Sequence, residues 1–164
     1  MKVTQYSEGC GALISEIQLA DLSVTQLADL RTIFAKHGLL FFRDQDFSPQ
    51  DHLQFAQRFG SIVVNKFFKT TIEHAEIAEV RKEKTQQTNI GGGWHTDHSY
   101  DQEPALGSIL VAKELPESGG DTWFTSMYKA YDSLSDGLKE TLERMRAVHS
   151  AHYAFGTKSG DKQS

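Results

Sequence analysis

A chain of 164 residues with a formal charge of −5 has room for one domain with a substantial core. Its Lys and Arg residues are scattered rather than clustered, so it offers no basic field to nucleic acid or to an anionic lipid surface. The longest apolar runs are four residues, too short to span a membrane, and residues 1–7 lack the apolar stretch of a signal peptide. The expectation is a soluble, cytoplasmic protein. Its single cysteine, Cys10, has no internal disulfide partner and reads as a small turn residue beside Gly9 and Gly11.

In chain order, residues 11–17 read as a short strand. Ser23 with Gln26 forms a capping box that opens a helix, whose apolar stripe is Leu27, Leu30, Ile33 and Phe34. Gly38 suits its C-terminus. Residues 39–42, a continuous apolar run, predict a strand buried on both faces. Ser48 and Pro49 then open a second helix, with Leu53, Ala56 and Phe59 inward and Gly60 at its end.

Residues 62–68 and 77–81 have strand-like composition, and a polar stretch between Arg81 and Gly93 predicts a flexible loop. Further strands are expected over 94–100, 107–112, 121–124 and 147–155. Helices are expected over 126–134 and from Ser135 onward, the latter with Leu138, Leu142 and Met145 on its inner face. The polar residues 156–164 have the composition of a disordered tail. No internal repeat or low-complexity tract is present.

The chemistry concentrates in Gly91-Gly92-Gly93-Trp94-His95-Thr96-Asp97-His98-Ser99-Tyr100. Three glycines in a row mark a loop. On an extended strand the period of two would place His95 and Asp97 on one face and His98 on the other. An imidazole and a carboxylate side by side are two parts of the facial triad of non-haem iron sites, and they form the candidate metal pair. The bare triplet also fits a surface strand carrying a salt-bridged His. A zinc hydrolase is a third reading, but its His-x-His-x-Asp-His motif would need a histidine where Gly93 stands.

Trp94-His95-Thr96-Asp97, followed by Glu103-Pro104-Ala105-Leu106-Gly107-Ser108-Ile109-Leu110, Ala112-Lys113-Glu114-Leu115-Pro116 and Gly119-Gly120-Asp121-Thr122, resembles the taurine dioxygenase (TauD/TfdA) family. His37-Gly38-Leu39-Leu40-Phe41-Phe42-Arg43 and Gln57-Arg58-Phe59-Gly60 resemble the same family, so the similarity runs over roughly residues 9–155.

The resemblance implies an α+β fold, a double-stranded β-helix or jelly roll with flanking helices, of which residues 1–164 would form the N-terminal portion as a single domain, incomplete at the C-terminus. It also implies Fe(II), with 2-oxoglutarate as co-substrate and O2 as oxidant. The products would be succinate, CO2 and a hydroxylated small organic anion.

By the same resemblance, His95 and Asp97 are metal ligands, and the Thr122 hydroxyl helps hold a carboxylate of 2-oxoglutarate. The loop before Gly93 lies over the substrate, and Asn89, Ile90, Trp94 and Tyr100 are substrate-pocket candidates. Taurine-using relatives carry an Asn where this chain has Gly91, which argues against taurine itself. The family's distal His ligand and 2-oxoglutarate-binding Arg lie in a C-terminal half beyond these residues. His149 and His152 do not match that ligand, and Arg144 and Arg146 read as solvated helix residues. The alternative is therefore a non-catalytic, truncated relative acting in binding or assembly, its uncovered apolar faces and strand edges favouring association with another copy.

Overall fold

Local capping chemistry defines the two main helices in the computed structural model, which describes residues 1–64, 70–87 and 91–150. Helix α1 (Val24–His37) begins where the Ser23 hydroxyl accepts from the Gln26 amide at 3.1 Å and the Gln26 side chain accepts from the Ser23 amide at 2.9 Å. It ends at Gly38, whose φ of 70° is left-handed and whose amide donates to the Phe34 carbonyl at 2.8 Å. Helix α2 (Pro49–Phe59) starts with Ser48 as N-cap, reciprocally bonded to Asp51, and has Pro49 in its first turn.

These helices pack with a small mixed sheet in the order β1-β2-β3, formed by β1 (Lys2–Gln5), β2 (Ala12–Ser15) and β3 (Leu40–Phe42). The β1–β2 pair is antiparallel, with Val3 opposite Ile14, and the β2–β3 pair is parallel, with Leu13 opposite Phe41. Along β2 the period of two sends Ala12 and Ile14 inward, where they meet Leu19, Leu22, Leu30 and Phe55 in the buried core. Arg31 locks α1 to α2: its guanidinium donates to the Phe59 carbonyl and sits 5.5 Å from the centre of that ring. Gln45 closes the opposite side, accepting from the Leu19 amide at 2.9 Å and donating to the Ile17 carbonyl at 3.0 Å.

Beyond α2 the chain is mostly irregular until α3 (Met127–Asp132) and α4 (Asp136–Glu143), each N-capped by the serine before it. One stretch of this region returns to the core: Ile109 packs against it, and Gly107 lies so close to Phe34 that a Cβ there would sit 3.3 Å from the ring.

Several expectations from the sequence are corrected here. Strand β3 is half-buried rather than buried on both faces. Residues 77–81 form no strand and contribute only the isolated bridge of Thr70 with Ala78. Residues 94–100, 107–112 and 121–124 are irregular or turns, as are 62–64 and 147–150. Strand-like composition makes a strand only where a second backbone edge pairs with it, and among the described residues these runs have only the Thr70–Ala78 bridge. Leu138, Leu142 and Met145 are exposed at 44%, 40% and 64%, not directed into a core. In α2 the buried residue is Phe55, while Leu53, Ala56 and Phe59 are half-buried. Strand β1 went unanticipated because its residues, exposed throughout, carry no apolar alternation. The expected strand residues 65–68 and 151–155 and the tail 156–164 lie outside the described residues.

Candidate metal centre

Gly91 sets the local geometry of the centre. Its φ of 69° is in the left-handed region, and a Cβ at this position would sit 3.1 Å from Cε1 of His95. Only glycine meets both demands without strain. The turn folds the chain back so that the His95 ring lies against the Gly91 backbone, with His95 Nδ1 2.8 Å from the Gly93 carbonyl. A carbonyl oxygen only accepts, so Nδ1 carries a proton and Nε2 points outward.

Nε2 faces Asp97, whose Oδ1 is 3.3 Å away. The expected strand is absent, and residues 97–100 form a turn. His95 and Asp97 nevertheless converge, because the glycine turn and the carbonyl bond aim the ring and the bend at Asp97 brings the carboxylate round to meet it. The second carboxylate oxygen, Oδ2, accepts from the Ser108 hydroxyl at 3.2 Å.

The donor set fits a divalent metal ion. With metal–ligand bonds of about 2.1 Å at right angles, two neighbouring donors stand about 3 Å apart, and the 3.3 Å separation of Nε2 and Oδ1 is close to that. A ligand histidine whose other nitrogen donates to a carbonyl is the usual orienting arrangement at metal sites. The same 3.3 Å approach is also the surface His–Asp ion pair that the bare triplet fits. Both side chains are open, 56% and 61% exposed. Among the described residues no group of three His, Cys, Asp or Glu side chains gathers in metal-binding geometry.

The other sequence candidates fall around this pair. His98, at a φ of 55°, turns away and its Nδ1 lies 2.8 Å from Oδ2 of Asp101, the structural role expected of it. Tyr100 is half-buried with its ring 5.7 Å from that of His98. Burial, reinforced by the charges of Asp101 and Asp97, pushes its phenol above the usual tyrosine range, so it remains a neutral hydroxyl at neutral pH. Trp94 is 70% exposed and is no core aromatic. Thr122 follows the left-handed pair Gly119 and Gly120, is exposed, and has no hydrogen bond to His95 or Asp97 among the described residues. Arg144 pairs with Glu140 on the surface of α4 at 2.7 Å, and His149 is exposed. Asn89, Ile90 and His152 lie outside the described residues.

Sequence reasoning missed Ser108. It stands on an irregular, exposed stretch with no periodic signal that could have found it.

Comparison with known proteins concerns the chain as a whole. Residues 2–164 match the taurine catabolism dioxygenase TauD, TfdA family. An (S)-phenoxypropionate/alpha-ketoglutarate-dioxygenase of Sphingobium herbicidovorans is 31% identical over 88% of this chain and 51% of its own length. An alpha-ketoglutarate-dependent sulfonate dioxygenase of Saccharomyces cerevisiae is 29% identical over 92% of this chain and 39% of its own. The crystal structure of AAD-2 in complex with Mn(II) and N-oxalylglycine superposes with a TM-score of 0.74 at 26% identity, over 100% of this chain and 58% of that one. The chain thus spans about half the length of the relatives it matches, and the expected α+β, jelly-roll class is that of its structural neighbours.

Proposed function

The chain belongs to the TauD, TfdA family of taurine catabolism dioxygenases, and from that membership we propose that it contributes the His95–Asp97 portion of an Fe(II)/2-oxoglutarate-dependent dioxygenase centre acting on a small organic anion. The observation that carries this reading is the 3.3 Å approach of His95 Nε2 to Asp97 Oδ1 with Nδ1 held by the Gly93 carbonyl. When bound, Fe(II) and 2-oxoglutarate supply the oxidising chemistry with O2, releasing succinate and CO2 as the substrate is hydroxylated.

The chain's own residues bind and orient. His95 offers Nε2 and Asp97 offers Oδ1, so one neutral and one anionic ligand hold the metal from adjacent positions. The Thr122 hydroxyl, free to donate, is assigned to a carboxylate oxygen of 2-oxoglutarate by its place in the family motif. Trp94, next to His95 and exposed, provides an aromatic wall for the substrate, and Tyr100 provides a neutral hydroxyl on the side of Asp97. An anionic substrate is supported by two relatives, one named for phenoxypropionate and the other for sulfonate.

The test is succinate formation from 2-oxoglutarate with Fe(II), O2 and a panel of alkylsulfonates and phenoxyalkanoates. At least one anion is expected to stimulate succinate release, with the signal abolished in His95→Ala. Absence of stimulation by every anion contradicts the catalytic reading. A second reading, a metal-binding relative that does not turn over, is favoured by the lack of a third ligating side chain beside the pair among the described residues. It predicts metal binding that His95→Ala removes, without succinate.

A further inference from the structure

The hydroxyl of Ser108 meets only one of the two oxygens of Asp97, and this asymmetry matters if the pair holds a metal, as the reading above has it. We infer that Ser108 is a positioning residue that reserves Oδ1 of Asp97 for the metal by occupying Oδ2. The Ser108 Oγ donates to Oδ2 at 3.2 Å, while Oδ1 is the oxygen 3.3 Å from His95 Nε2. A hydrogen bond to a carboxylate oxygen withdraws charge from it and fills a lone-pair direction. Oδ1 is then the stronger donor, and the carboxylate ligates through one oxygen rather than two.

Ser108 can do this because its neighbours are held on both sides. Gly107 lies against the Phe34 ring of α1, with no room for a Cβ beyond 3.3 Å. Ile109 packs on the core. Between them, Ser108 sends its hydroxyl to Asp97. The metal pair sits on an irregular loop, and Ser108 is its hydrogen-bonded link to the helices and the core. Side chains that orient a metal ligand in this manner typically change metal affinity by about 10-fold to 100-fold when removed.

The test is Mn(II) binding to the full chain, followed by electron paramagnetic resonance, with the carboxylate stretches read by infrared difference spectroscopy. Ser108→Ala is expected to weaken Mn(II) binding about tenfold and to narrow the splitting between the asymmetric and symmetric stretches, as ligation by both oxygens becomes available. Ser108→Cys, similar in size but a poor donor, should behave like Ser108→Ala, and Ser108→Thr should restore both signals. Metal-free melting temperatures should not change, since the side chain is exposed. Wild-type affinity and splitting in both Ser108→Ala and Ser108→Cys would overturn the inference while leaving the metal site standing, provided His95→Ala abolishes binding. No Mn(II) binding by the unmodified chain, or undiminished binding by His95→Ala, overturns the metal reading and the role of Ser108 with it.

Discussion

At the scale of single residues, the centre depends on a position without a side chain. Gly91→Ala imposes a left-handed φ on a residue with a Cβ and places that Cβ 3.1 Å from the His95 ring. The backbone cost alone is about 1 kcal/mol, and the ring must give way as well. Displacing the ring breaks the Nδ1 bond to Gly93, so metal affinity should fall about tenfold or more. A titration of Gly91→Ala with Mn(II) checks this, and unchanged affinity would mean that the turn does not aim the ring. The approach of His95 to Asp97 was legible because the two stand in one contiguous motif. Their geometry was misread, since a turn rather than a strand brings them together. Ser108 was not legible because its partner is eleven residues away, on a separate irregular stretch.

At the scale of elements, α1 and α2 could be read from sequence because their determinants are local. A serine, a side chain three residues on and a glycine or proline at the boundary satisfy the free backbone groups within one turn. The irregular runs at 107–112 and 121–124 could not be read so, because pairing depends on a second segment. What α2 adds beyond its caps is His52, a half-buried histidine. Burial lowers the His52 pKa, with the Lys113 charge acting in the same direction and the Ile109 backbone bond opposing both. A histidine whose folded value lies below its unfolded one contributes stability that is fully present above the unfolded value, about 6.5. The unfolded chain takes up the proton first, so stability drops as pH falls through that value toward the folded one. The urea midpoint should therefore decrease from pH 7.5 to pH 5, and His52→Gln should flatten the decrease. An equally steep fall in His52→Gln would assign the effect to other groups.

For the molecule as a whole, exposure is the dominant feature. The chain exposes 13873 Å², whereas a folded monomer of 18.4 kDa exposes roughly 8,000 Å². Trp94, Leu110, Leu115, Trp123 and Val148 are each 70% exposed or more. The packed part is the sheet with α1 and α2, and the His95–Asp97 pair lies in the open. An open pair can take up a metal without excluding water, so binding and turnover are separable properties of this chain. The central claim concerns binding, and the most direct measurement is anaerobic titration of the chain with Fe(II) and 2-oxoglutarate, followed by the visible charge-transfer band. The account predicts that the band forms with the unmodified chain and is absent in His95→Ala and Asp97→Ala. A folded chain that yields no band, or a band that survives both substitutions, would contradict it.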